Sequence, residues 1–164
     1  MRILGIDPGI GTIGFGIIES DGFKHKLVDG GVIKTSPKEP VELRLKTIYE
    51  ELTDIIKETK PSMASVEKLF FSQNITTGIA VAQARGVILL CLAEANLQVL
   101  EFTPLQIKSG LVGYGKADKA QVQEMVRVLL NLKKRPSPDD AADALGAALI
   151  AAMTPQAHNA TEAN

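Results

Sequence analysis

The spacing of hydrophobic residues changes period in a fixed order along this chain, and that order most narrows what it can fold into. Arg2–Ile6 is a short apolar run closed by the turn signal Asp7-Pro8-Gly9. Thr12–Glu19 is rich in Ile, Phe and Gly, and Lys26–Thr35 follows a break at Ser20-Asp21-Gly22. Three such runs joined by short turns predict an antiparallel meander. Val41–Lys60 then takes helical spacing, with Leu43, Leu45, Ile48, Leu52, Ile55 and Ile56 recurring between charges until Pro61 stops the pattern. Met63–Val66 predicts a fourth strand, the stretch from about Thr76 to Ala95 a long apolar helix, Leu97–Phe102 a fifth strand and Pro104–Leu111 a short helix. Asp118 and Gln121 have capping-box spacing ahead of Val122, Met125, Val126, Leu129 and Leu130, and Asp139–Met153 completes the pattern as a last helix. The expected fold class is α/β, a mixed five-stranded sheet flanked by helices.

The 164 residues suit one domain, residues 1–153, followed by a polar, aperiodic tail, 154–164, that is expected to be disordered. No stretch approaches the roughly 20 apolar residues of a membrane span. The two longest candidates, Ile79–Ala95 and Ala141–Met153, are interrupted by Gln83, Arg85 and Asp143. Asp7 cuts the first apolar run too short for a secretory signal, so a cytoplasmic protein without membrane contact is expected. Cys91 is the single cysteine and reads as a small buried hydrophobe. His25 and His158 have no ligand-spaced neighbours, which excludes a zinc site of Cys and His; a metal here would need oxygen ligands.

Oxygen ligands are present where the chain organisation gathers them. Asp7 ends the first predicted strand and Glu67 the fourth, while Asp140 and Asp143, three apart, share one face of the last helix. If the first and fourth strands lie side by side and parallel, Asp7 and Glu67 come to the same sheet end, and the helix pair can close over them. Mg²⁺ prefers oxygen ligands, and two such ions roughly 4 Å apart can activate water and stabilise the leaving oxygen in phosphodiester hydrolysis. Without cations the same carboxylates would repel and raise one another's pKa. Each acid also has a plainer role. Asp7 can shape a turn, Glu67 can be a solvated strand end, and Asp140 can answer Ser137 in a capping box with Pro138 at the first helical position. Asp143 sits among alanines and Leu145, where a lone charge is costly. Spacing alone does not choose between Asp139 and Asp140.

The net charge of −1 argues against a strongly basic nucleic-acid binder, but the charge is unevenly distributed. Arg85 to Arg135 carries eight Lys/Arg against four Asp/Glu, leaving the remainder at −5. Arg85, Lys108, Lys116, Lys119, Arg127 and Lys133–Arg135 could meet phosphates, and Phe70-Phe71 could stack on unpaired bases.

Together these segments resemble the RuvC family of Holliday junction resolvases. The likeness runs through Ile3-Leu4-Gly5-Ile6-Asp7-Pro8-Gly9, Val66-Glu67-Lys68-Leu69-Phe70-Phe71, Gln83-Ala84-Arg85-Gly86-Val87, Ala117-Asp118-Lys119-Ala120-Gln121-Val122 and Asp139-Asp140-Ala141-Ala142-Asp143-Ala144-Leu145. It implies a ribonuclease H-like fold and a homodimeric, Mg²⁺-dependent endodeoxyribonuclease. Such an enzyme makes paired symmetric nicks at four-way junction DNA in recombination and repair, with two ions per site in the active complex and Mn²⁺ able to substitute. By this resemblance the catalytic and metal-binding acids are Asp7, Glu67, Asp140 and Asp143, the Asp-Ala-Ala-Asp spacing selecting Asp140 over Asp139. Lys108 and Lys119 match basic positions near the scissile phosphate, and Phe70 matches an aromatic at the crossover. Arg85 and Lys116 are further candidates for DNA contact. A branch-migration motor of the RuvAB type is an implied partner.

Rival patterns are weaker. Gly110–Ala117 approaches a Walker A loop, but Ala117 replaces its Ser or Thr, so a flexible loop opposing DNA is expected there. Gly5–Gly16 resembles the phosphate loop of actin-like sugar kinases, which need two such domains. A YqgF-type RNA nuclease shares the expected fold but not the Phe-Phe loop with the Asp-Ala-Ala-Asp helix. A non-catalytic junction binder would not need four acids.

Overall fold

A computed structural model describes residues 1–69 and 75–154, with the side chains of 75–77 outside the description. The elements run β1 (Arg2–Asp7), β2 (Thr12–Ser20), β3 (His25–Lys34), α1 (Val41–Thr59), β4 (Met63–Glu67), α2 (Ile75–Glu94), β5 (Gln98–Phe102), α3 (Pro104–Val112), α4 (Lys119–Leu129) and α5 (Asp139–Ala152). Each lies within about two residues of its expected place, because Pro61, Asp118 and the Asp7-Pro8-Gly9 turn act as local punctuation that tertiary packing does not override. The sheet order is β3-β2-β1-β4-β5. β1 pairs antiparallel with β2 and parallel with β4. β2 pairs antiparallel with β3, and β4 parallel with β5. The mixed five-stranded sheet expected from the sequence is the sheet observed.

Alternation along β1 divides the molecule into layers. Leu4 and Ile6 join Ile13, Ile17, Ala64 and Val66 against α1 and α2, where Ile48, Leu52, Ala84, Ile88, Cys91 and Leu92 complete a core. Ile3 points the other way, with Ile18 and Met63, toward α3, α4 and α5. Gly5 and Asp7 share that second face. Cys91 is buried, as its apolar setting implies.

α5 lies unusually close to the sheet because three strand residues on its side lack a side chain. A Cβ on Gly5 would stand 1.9 Å from the Ala144 carbonyl oxygen, one on Gly14 would stand 1.9 Å from that of Asp140, and one on Gly16 would meet Leu145 at 2.6 Å. The helix answers with small residues: Ala141, Ala142, Ala144, Ala147, Ala148, Ala151 and Ala152 are all buried. A helix buried around its whole circumference is an interior helix; α5 is buried at every position from Ala144 to Ala152, and its acidic first turn comes to the end of β1.

Two helix starts, those of α3 and α4, are fixed by side-chain caps, while α1 and α5 begin at Pro40 and Pro138 without one. Asp118 caps α4 and exchanges hydrogen bonds with Gln121, the box expected from their spacing. Thr103 and Gln106 form a second box at α3. The box expected from Ser137 to Asp140 does not form: the N-cap of α5 is Pro138, whose ring offers no acceptor, so Asp140 is not spent on capping. Gly110–Val112 is also not loop. It is the last turn of α3, with Leu111 buried, and the chain leaves the helix only at Gly113, where φ is 90°. Phe70, Phe71 and residues 155–164, including most of the tail expected to be disordered, lie outside the described residues. Among the described residues no helix is long and apolar enough to cross a membrane.

Candidate active site

Parallel pairing of β1 and β4 ends with Ile6 opposite Val66, so the next residues, Asp7 and Glu67, stand level at the same sheet end. Asp143 and Asp140 approach from α5. The electrostatics register this convergence. Burial pushes the Asp7 carboxyl up to about 8, and the charges of Glu67, Asp143 and Asp140 push the same way. Glu67 is raised to about 7, first by burial and then by Asp143, with Lys108 and Lys119 opposing. Burial raises Asp143 as well, against the pull of Lys119. Four carboxylates from three elements thus share one field.

Two lysines of the basic segment, Lys108 and Lys119, face them. A cleft of about 250 Å³ is lined by Glu67, Asp143, Lys108 and Lys119, with Pro104, Ile107 and Val122 as apolar wall. Lys119 begins α4, and its Nζ lies 3.3 Å from Asp143 Oδ2 and 3.2 Å from Asp139 Oδ2. Asp139 also accepts from Gln123 Nε2 at 2.8 Å. Asp140 is among the charges that raise Asp7. One pleat behind Glu67 and on the same face, Ser65 is fully buried with its Oγ unpartnered.

Among the described residues no three His, Cys, Asp or Glu side chains are gathered tightly enough to hold an ion. Coulombic coupling reaches farther than a coordination sphere, so both observations hold. Lys119 supplies a counter-charge at Asp143. The donor set nonetheless fits a hard divalent cation: it is all oxygen, partly desolvated, and costly to ionise without added positive charge.

The other candidates are placed less centrally. Lys116 is exposed in the turn after α3 and enters no ion pair among the described residues. Arg85 pairs closely with Glu101, linking α2 to β5, while its buried Nε stays unpartnered. Residues that a reading of charges alone passes over include Gly5, Gly14 and Gly16, which seat α5. Their signal is the Gly-x-Gly of β2, out of place in a strand that packs side chains on both faces.

The profile of the family described as Crossover junction endodeoxyribonuclease RuvC matches residues 3–151. A protein of that description from Alkaliphilus oremlandii (strain OhILAs) is 51% identical over 154 residues, 94% of each chain. A Thermus thermophilus RuvC structure superposes with a TM-score of 0.86 at 38% identity, covering 93% of this chain and 94% of that one. A second structure, T. thermophilus RuvC in complex with Holliday junction substrate, gives the same TM-score at 35% identity and the same coverage. With its ribonuclease H-like sheet, its carboxylates at the ends of β1 and β4 and a match over nearly its whole length, this chain belongs to the RuvC family of crossover junction endodeoxyribonucleases.

Proposed function

We propose that this chain resolves Holliday junctions by nicking phosphodiesters of four-way junction DNA in the cleft between Asp7, Glu67, Asp143 and the lysines. The observation that carries the reading is the level placement of Asp7 and Glu67 at one sheet end, both largely desolvated, with the ammonium groups of Lys108 and Lys119 in the cleft beside Glu67 and Asp143. Carboxylates costly to ionise call for cations, and ammoniums beside them suit an anionic phosphate.

In this reading Asp7, Glu67, Asp140 and Asp143 would hold Mg²⁺, two ions in the DNA-bound state, with Mn²⁺ able to replace it. The bound metal would lower the pKa of water and stabilise the leaving oxygen. The remaining chemistry falls to this chain's own side chains. Lys108 and Lys119 neutralise the scissile phosphate and fix its position against the carboxylates. Pro104, Ile107 and Val122 keep one wall of the cleft dry, which strengthens every charge interaction within it. Phe70 at the crossover, and Arg85 and Lys116 on the flanking backbone, complete the proposed DNA contacts.

A junction has near two-fold symmetry, and a C2 dimer would present two clefts to it. α2 offers a contact surface for such a dimer. It buries one side in the core and turns out Ile79, Ala82, Gly86, Leu90 and Ala93, with Ile79 and Leu90 57% and 52% exposed. Apolar and small residues at three- to four-residue spacing suit close packing of two helices. A RuvAB-type motor as partner and a cytoplasmic address follow from family resemblance alone.

The decisive experiment compares wild type with Asp7→Asn on a labelled four-way junction, a linear duplex and an RNA–DNA hybrid, with and without Mg²⁺. Wild type is expected to nick the junction alone, and Asp7→Asn to bind it without cutting. An Asp7→Asn protein nicking at the wild-type rate removes Asp7 from the chemistry.

A further inference from the structure

α5 has two flanks. The carboxylate cleft lies on the side of α3 and α4. The other flank, toward β3, carries a second groove of about 410 Å³, whose floor is Leu27, Gly30, Leu132, Ala141 and Leu145. Lys133, Lys134 and Arg135 form its rim, and no carboxylate lines it. The rim is contiguous in sequence with the start of α5, and Ala141 follows Asp140 directly. The groove therefore lies beside the first turn of α5, the turn that carries Asp140.

The rim charges are available to a ligand. Lys133 and Lys134 are exposed and enter no ion pair among the described residues. Arg135 is anchored by its Nε, 3.0 Å from Glu124 Oε2, and Glu124 is already held by Arg127 at 2.8 Å. Anchoring through Nε leaves the terminal nitrogens of Arg135 unpaired while fixing where they stand. An apolar floor beneath a row of fixed and mobile cations matches a chain that alternates anions with apolar rings, which is the deoxyribose–phosphate backbone.

We propose that this groove is a second DNA-backbone subsite, holding the strand that runs on from the scissile phosphate across the first turn of α5, with its phosphates on Lys133, Lys134 and Arg135 and its sugars over Leu27 and Leu132. The proposal rests on the junction-nicking reading above. An acidic segment of a protein would satisfy the same charges, but the shared α5 wall, Asp143 in the cleft and Ala141 and Leu145 in the groove, favours DNA.

The test is junction binding by fluorescence anisotropy across a salt series, comparing wild type, Lys133→Gln/Lys134→Gln, and Lys46→Gln/Lys57→Gln. The last pair removes the same charge from exposed positions of α1, on the other face of the sheet. The groove variant is expected to lose roughly tenfold in affinity and to flatten the salt slope by about 1.8, or 0.9 per lost phosphate contact, while the control keeps the wild-type slope. Neutral methylphosphonates flanking the scissile phosphate should weaken wild type but leave the groove variant unchanged. A groove variant with the wild-type slope, or a control that flattens equally, overturns the subsite. If wild type itself neither binds nor nicks the junction, the junction-nicking reading fails and the subsite fails with it.

Discussion

The ammonium of Lys119 lies 3.3 Å from an Asp143 carboxylate oxygen, so a side chain of α4 supplies positive charge where a metal is proposed to sit. The lysine and a divalent cation then compete for Asp143 and repel one another. At an effective dielectric near 20, with solvent screening of a half-exposed lysine, that repulsion costs on the order of 1 kcal/mol. Lys119→Met is therefore expected to bind Mn²⁺ about fivefold tighter without DNA, by calorimetry, and yet to nick a junction at least about a hundredfold more slowly for want of a phosphate partner. Unchanged or weaker Mn²⁺ affinity would show that the lysine and the metal do not share the site.

The raised carboxylates set how stability varies with pH. Asp7 titrates near 8 in the folded protein and near 3.8 in the unfolded chain, so between those values the folded state binds more protons. Stability from this group is present in full below about pH 4 and is lost as pH rises toward 8. Glu67 acts in the same direction up to about 7. Asp7→Asn removes the effect. In EDTA at pH 8 the variant is expected to melt on the order of 5–10 °C above wild type, corresponding to about 2–3 kcal/mol, with the gap closing toward pH 4. Adding Mg²⁺ should raise the wild-type Tm more than that of the variant. A gap that is constant with pH would mean that Asp7 is not held in its neutral form.

Gly14 controls where Asp140 stands. A methyl there would lie 1.9 Å from the Asp140 carbonyl oxygen, and because the obstacle is backbone, no rotamer relieves it. Gly14→Ala must lift the first turn of α5, at a cost of about 3 kcal/mol, the upper end of ordinary overpacking. Circular dichroism should report a lowered Tm. Junction cleavage should fall further than the remaining folded fraction explains, since Asp140 is displaced from Asp7. Cleavage falling only in proportion to the folded fraction would separate Asp140 from the site.

What could be read in the sequence was whatever local chemistry decides. Periodicity and turn residues located β1 through α5, and capping spacing gave the start of α4 to the residue. The face-sharing of Asp140 and Asp143 followed from helical geometry, and the level ends of β1 and β4 from assuming they run parallel. What escaped depends on contacts distant in sequence. The pairing of Arg85 with Glu101 of β5 joins residues that no local pattern connects. Spacing alone did not choose between Asp139 and Asp140, and it could not show that Asp139 bonds Gln123 and shares Lys119 with Asp143. Ser137 and Asp140 had capping spacing, yet Pro138 became the cap. The cradle at Gly5, Gly14 and Gly16 required knowing which helix crosses which strands.

The proposed dimer face turns on Gly86, where helix propensity and assembly make opposite demands. A Cβ on Gly86 would meet nothing within 4 Å in this chain, and the position is exposed in the middle of α2. For a monomer, Gly86→Ala should therefore stabilise by about 1 kcal/mol through backbone entropy alone. If two copies pack α2 against α2, the same methyl sits between the helices and holds them apart. Light scattering over a dilution series is expected to show a wild-type dimer, a monomer for Leu90→Glu, and a Gly86→Ala dimer that dissociates at higher concentration than wild type. On a cruciform substrate the Leu90→Glu protein should release singly nicked product, because two coordinated cuts need both clefts. Gly86→Ala with a higher Tm and an unaltered mass at every dilution would show that α2 lies away from the contact.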